Sequence, residues 1–166
     1  MGKIYGGNEM KKKIVIVILF LAFVFAGCSK VKTQGSNLQV KTLEPIQVVE
    51  NYFKYYNEKN KKGILCTLTE WHNAPNVVWG FENLDSMKII DIQEEKSDVI
   101  RNGYLRNGRG SVNNTTETNL KVYKVKYEVK YKKNGIGPQD SGTYDWWYFV
   151  IRRDEDSPWL IDDMGV

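Results

Sequence analysis

The chain has 166 residues, with 24 basic and 20 acidic side chains, one histidine and two cysteines. That length holds one domain of ordinary size and excludes two, while one His and two Cys remove the raw material for a Cys/His zinc site or a disulfide framework. Four of the basic residues, Lys3, Lys11, Lys12 and Lys13, precede the apolar run Ile14 to Ala26, and beyond Gly27 the balance is 20 basic to 19 acidic, too even for the phosphate footprint of a nucleic-acid-binding domain.

Lys11 to Lys13 form a positive n-region, Ile14 to Phe25 an apolar h-region, and Ala26-Gly27 the small-residue site that a signal peptidase requires. The apolar run is shorter than the roughly 18 residues that span a bilayer. Its ending, Phe25-Ala26-Gly27-Cys28, resembles the lipobox of bacterial lipoproteins, with Phe25 where Leu is usual. That resemblance implies a diacylglyceryl group on Cys28, which becomes the mature N-terminus on the outer face of the cytoplasmic membrane. An ordinary secretory signal with an incidental Cys, and an uncleaved anchor helix, are the alternatives. Gly6-Gly7 can be encoded by a purine-rich ribosome-binding sequence, with Asn8-Glu9 as spacer before a start at Met10. The expected organisation is therefore 1–27, untranslated leader plus lipoprotein signal peptide; 28–42, lipidated Cys and flexible tether; 43–166, the folded domain. The tether, polar and containing Gly35-Ser36-Asn37, spans on the order of 20 Å.

From Thr42 the spacing predicts a helix: Ile46, Val49, Phe53 and Tyr56 recur every three or four residues, with Val48, Tyr52 and Tyr55 widening the stripe. Thr42 or Glu44 caps it and Pro45 falls in its first turn. A shorter second helix starts at Asn60 and buries Ile64, Leu65, Leu68 and Trp71, ending at Asn73-Ala74-Pro75-Asn76. Ser86 to Gln93 reads as a strand. Asp98 to Leu105 reads as a bounding strand, and Gly103 to Asn119, rich in Gly, Asn and Thr, as a mobile loop or irregular hairpin. Lys121 to Lys132 alternates tyrosines and valines with charged residues, so one face is core and the other water. Thr143 to Arg153 is a nearly continuous apolar run that suits a central strand covered on both faces, and Trp159 to Val166 is a final strand.

Two helices followed by antiparallel strands, the last carrying Trp159-Leu160-Ile161-Asp162, resemble the nuclear transport factor two-like superfamily. More closely, Pro45 to Lys62 with Thr143-Tyr144-Asp145-Trp146-Trp147 and Ser157-Pro158-Trp159-Leu160-Ile161-Asp162 is similar to a family of Firmicutes lipoproteins, which implies a Gram-positive host. The resemblance implies an α+β cone: two N-terminal helices packed on a curved, mainly antiparallel sheet. SnoaL-like and ketosteroid-isomerase-like enzymes share it, the latter with a buried acid and a Tyr in the cavity. It aligns no specific acid and tyrosine of those enzymes here, so no catalytic residue is carried over.

Any Cys-His nucleophilic pair must be Cys66 and His72; their spacing puts them on different helix faces, and the better reading is a small buried cysteine and a surface or loop histidine. Asp154, Glu155 and Asp156 lack the Gly and distal Glu of a calcium loop and read as a solvated turn. Asn113-Asn114-Thr115 fits a glycosylation acceptor, which says nothing on a bacterial lipoprotein. The candidate pocket is aromatic: Tyr123, Tyr127 and Tyr131 share a strand face beside Tyr144, Trp146 and Tyr148, while Asp145, the acid within the neighbouring strand, alternates to the side opposite Trp146. Aromatic core packing is the competing reading. Trp159 is expected beneath the sheet near Phe53 or Tyr56. The leading functional reading is a noncatalytic envelope module, needing no cofactor or metal, that binds a small ligand or an envelope protein. A SnoaL-like isomerase, dehydratase or hydrolase is second, and a structural domain that dimerises through its sheet face is third.

Overall fold

The computed structural model describes residues 43–166; the signal-peptide segment, Cys28 and the tether lie outside the described residues. Helix α1 is Pro45–Asn57. Pro45 sits where a missing N–H removes no intrahelical bond, and Glu44 N donates to Gln47 Oε1 at 3.0 Å, the return half of a capping box. Val48, Val49, Tyr52 and Phe53 are all buried, a single apolar stripe at helical spacing. Helix α2 is Lys61–Leu65, and the Asn60 side chain accepts from Gly63 N at 2.9 Å. It is shorter than the sequence pattern suggests. Beyond it the chain turns at Cys66 and Thr67 and then straightens, so that Leu68 bridges Ile161 in parallel. Trp71 belongs to a separate 3-10 turn, Glu70–His72, and is 45% exposed instead of lying on a buried face of α2.

Strands β1 (Leu84–Glu94), β2 (Leu120–Tyr131), β3 (Gly142–Ile151) and β4 (Leu160–Gly165) form one open antiparallel sheet in sequential order. Register shifts at Leu84/Ser86, Ile89/Asp91 and Phe149/Val150 add the twist and bend by which a sheet curves. The architecture is α+β, helices against a curved antiparallel sheet, as the sequence predicts. Period-two alternation turns Tyr123, Val125, Tyr127 and Val129 toward α1, where all four are buried. Phe53 fills the space between, with its ring centroid 5.4 Å from Tyr127 and 5.6 Å from Tyr148.

The segment read as a strand and a mobile loop is helical. Helix α3 (Asp98–Asn102) runs into a π turn (Gly103–Asn107) and helix α4 (Arg109–Asn113), followed by a 3-10 turn at Glu117–Asn119. Ile100 and Tyr104, one helical turn apart, pack with Leu105 on Leu120, Val122, Trp147 and Phe149, and the Tyr104 ring stacks on Phe149 at 4.6 Å and 11°. Burying that aromatic surface outweighs the poor helix propensity of a Gly- and Asn-rich run. The second sheet face is therefore covered around Leu120 and Val122, and open to water where Lys124, Lys126 and Lys130 of β2 and Thr143 and Asp145 of β3 are exposed.

Asn57 fastens the end of α1 to the sheet. Its Oδ1 accepts from Met87 N at 2.7 Å, and its Nδ2 donates to the carbonyls of Met87 and Phe53. Asn57→Ala leaves those groups unpartnered and is expected to cost about 1–3 kcal/mol, read as a lower urea midpoint with an unchanged m-value. Trp159 precedes β4 instead of opening it. It is half-buried at the margin of the main core, and among the described residues its ring pairs with neither Phe53 nor Tyr56; the Arg152 guanidinium lies over it at 4.8 Å.

Candidate functional site: a polar cleft on a buried carboxylate

Asp162 of β4 is 2% exposed, and among the described residues it is the one buried carboxylate. Thr69 Oγ1 donates to its Oδ1 at 2.9 Å, while Tyr104 OH at 2.7 Å and Asn113 Nδ2 at 2.8 Å donate to Oδ2. Arg109 Nε lies 3.4 Å from the same Oδ2. The Asp162 backbone carbonyl accepts from Trp71 Nε1 at 2.8 Å and from His72 Nε2 at 3.0 Å. A carboxylate is an acceptor only, so donors on both its oxygens satisfy it where water is excluded.

Local folding explains how these donors meet. Ile161 N donates to Thr67 O and Thr69 N to Ile161 O, which lays residues 67–69 along β4 and delivers Thr69, Trp71 and His72 to Asp162. On the other side, α4 can approach Tyr104 because Gly110 has no side chain: a Cβ there would sit 2.8 Å from the Tyr104 ring. The Arg109 guanidinium is held over the Trp71 ring at 3.9 Å, and the Trp71 and His72 rings lie 4.0 Å apart.

Burial pushes the Tyr104 phenol well above its ordinary range, and the hydrogen bond to Asp162 adds to that, so Tyr104 stays a donor. Desolvation lowers His72 below its ordinary 6.5, against the opposing pull of the Asp162 carbonyl and carboxylate. The unfolded chain therefore takes up a proton at His72 before the folded chain does, and stability falls as pH drops from about 6.5 through the lower folded value. His72→Gln, which can still donate to the carbonyl, is expected to shrink the drop in melting temperature between pH 7 and pH 5.5.

Thr69 and Asn113 also line a cleft of about 520 Å³ that opens between the Glu70 turn, the stretch from Asn113 to Asn119, the end of β3 at Ile151 to Arg153, and the Ser157-Pro158-Leu160 approach to β4. The volume is within the range of small-molecule sites. Ile151, Pro158 and Leu160 give it an apolar part, and Asn, Thr and Arg side chains the polar part.

The residues singled out from sequence fall elsewhere. Tyr123 and Tyr127 are buried and Tyr131 and Trp146 half-buried on the α1 side, with Trp146 edge-on to Tyr127 at 6.1 Å. Asp145 is exposed on the opposite face, across from Lys126. The structure thus groups the three tyrosines with Trp146 and leaves Asp145 out. Tyr52, Phe53 and Tyr148 occupy the interior beside them, and burial pushes Tyr127 up to about 12. Cys66 is exposed, not buried, at the C-cap of α2, and half-buried His72 gives its Nε2–H to Asp162. Asp154 Oδ1 accepts from Ser157 Oγ and Asp156 N, closing the acidic turn on itself. Among the described residues no group of three His, Cys, Asp or Glu is placed to hold a metal ion, and no helix is long and apolar enough to cross a membrane.

Thr69, Tyr104 and Arg109 left no mark as site residues, and Asn113 only as part of an uninformative Asn-Asn-Thr pattern, since they come from a turn and from a segment that reads as strand and loop. Asp162 stood there only as the last residue of the Trp159-Leu160-Ile161-Asp162 signature. Fold and site together define an α+β domain in which a curved antiparallel sheet carries a polar cleft at one end, anchored on a sealed carboxylate. Over residues 46–165 the chain matches the family described as Domain of unknown function (DUF4829), and it belongs to that family. No curated protein and no solved structure matches it.

Proposed function

We propose that this is an extracytoplasmic lipoprotein, held on the outer face of the cytoplasmic membrane by lipid on Cys28, whose domain binds a small ligand in the cleft beside Asp162 without transforming it. The observation that carries the binding reading is the pairing of an open cleft with a rigid wall: Thr69 and Asn113 face the cleft and are held from behind by one buried carboxylate, the preorganisation that keeps the cost of binding low. The helix-first order and the single antiparallel sheet support a nuclear transport factor two-like reading of the domain, and the Thr143-Tyr144-Asp145-Trp146-Trp147 and Ser157-Pro158-Trp159-Leu160-Ile161-Asp162 signatures support a likeness to Firmicutes lipoproteins. Native mass spectrometry of the protein purified from its host tests the binding reading. A small-molecule adduct lost on denaturation supports it, and a bare chain mass under gentle ionisation counts against it. Lipid labelling tests the anchor: Cys28→Ala is expected to abolish it and release the protein from membranes, whereas unchanged labelling rejects Cys28 as the site.

A second reading, a SnoaL-like isomerase, dehydratase or hydrolase, has one observation in its favour, the Asp162 carboxylate 2.7 Å from a phenol. Against it, both carboxylate oxygens are already engaged by donors and sealed from solvent, so a substrate proton would have to displace a donor to reach them.

A further inference from the structure

We infer that the cleft takes an oxyanion, a carboxylate or phosphate group on a small molecule or a lipid headgroup; this rests on the cleft being a ligand site. The argument lies in how its two arginines are left. Arg152 is half-buried and fixed from three sides: Nε donates to Asn119 Oδ1 at 3.0 Å, Nη1 to Glu155 O at 3.4 Å, and the guanidinium lies over Trp159 at 4.8 Å. Asn119 Nδ2 in turn donates to Arg153 O at 3.2 Å, so one asparagine holds both neighbours in place. Neither arginine enters an ion pair with a carboxylate among the described residues, whose ion pairs are Arg109 with Asp162, Lys121 with Glu94, and Lys130 with Glu128.

Carboxylates are not lacking nearby. Asp154, Glu155 and Asp156 follow directly in the chain, yet Asp154 is closed onto Ser157 and Asp156 N, and that hydroxyl holds its carboxyl below the usual range. The cleft wall itself carries one carboxylate, Glu70, against two guanidinium groups. Arg153 is exposed and makes no side-chain hydrogen bond among the described residues, and Arg152 keeps its Nη2 edge unengaged. Arg153 acts on Asp154 only through space, and no carboxylate among the described residues lies within ion-pair distance of either guanidinium. The held edge of Arg152, with the exposed Arg153 beside it, matches the planar oxygens of a carboxylate or phosphate. Asn114 and Thr116 add polar groups on the same wall.

The test follows amide chemical shifts of residues 113–119 and 151–157 in the full chain, in neutral detergent, titrated separately with inorganic phosphate, acetate and glucose. Phosphate and acetate are expected to shift these amides saturably and glucose not. Raising salt, and Arg153→Gln at an exposed position that leaves the fold alone, are each expected to weaken binding about tenfold. Asn119→Ala, which releases Arg152, weakens it too. Vesicles of phosphatidylglycerol that compete with phosphate where phosphatidylcholine does not assign the oxyanion to a lipid headgroup; equal indifference to both assigns it to a soluble ligand. Glucose binding with Arg153→Gln neutral overturns the oxyanion and leaves a ligand cleft standing. Unmoved amides with phosphate and acetate also overturn it, and the purified protein's adduct then decides the ligand reading independently.

Discussion

Asp162→Ala is expected to lower the unfolding free energy by about 3–5 kcal/mol, the cost of breaking a buried ion pair from one side, out of the roughly 5–15 kcal/mol a whole domain has. The loss goes beyond one contact. Tyr104 OH, Asn113 Nδ2, Thr69 Oγ1 and Arg109 Nε all converge on that carboxylate, and alanine strips each of its acceptor, with the buried Tyr104 hydroxyl the least able to turn to water. Tyr104→Phe removes a single donor and is expected to cost about 1–3 kcal/mol. Because the two residues share a network, Tyr104→Phe combined with Asp162→Ala should cost less than the separate losses together. Urea unfolding of the three variants measures this. An Asp162→Ala protein within about 0.5 kcal/mol of wild type, the span of ordinary surface changes, would mean that the network does not hold α4 and the Thr69 turn to the sheet.

The other large effect is expected at Phe53, 3% exposed and edge-on to Tyr127 and tilted against Tyr148 between α1 and the sheet. Phe53→Ala opens a cavity where three aromatic rings meet and is expected to cost about 3–5 kcal/mol. Trp159→Ala should cost about half of that, since its indole is only half-buried and burial sets the loss. Asp145→Asn, on an exposed face, should leave the melting temperature unchanged. The expected order, Phe53 above Trp159 above Asp145, is a thermal-melt measurement, and Trp159→Ala falling below Phe53→Ala would place the indole deeper in the core than the structure does.

Much of the framework was legible in the residues. The stripe through Val49 and Phe53, the Asn60 cap, the alternation of Tyr123, Val125, Tyr127 and Val129, and the apolar run of β3 each report a local periodicity, and periodicity survives without knowledge of neighbours. The side that Asp145 takes, opposite Trp146, followed from the same parity, as did the grouping of the three tyrosines. Asp98 to Asn113 went the other way. Gly103, Gly108 and Gly110 favour a loop by local preference, and the helical turns exist because Tyr104 finds Phe149 and Asp162, which lie 45 and 58 residues further along the chain. Trp71, expected in a core, stands over a guanidinium instead, since α2 ends early to let Leu68 meet Ile161.

The candidate site divides along the same line. Asp162 stood in the sequence only as the last residue of the Trp159-Leu160-Ile161-Asp162 signature, and a buried carboxylate is tolerated only where donors surround it. Those donors arrive from a turn 93 residues away and a helix 49 residues away. Sequence by itself determined the cores of the four strands that form, though it added a false one at Asp98 to Leu105, and which residues of β2 and β3 share the face that meets α1. Only the tertiary structure decided that the aromatic face is filled with its own rings, that a cleft opens at the far end of β3, and that Arg152 and Arg153 stand in it with no carboxylate at ion-pair distance among the described residues. Periodicity is a property of neighbours along the chain, whereas hydrogen-bond satisfaction and unpaired charge are properties of neighbours in space.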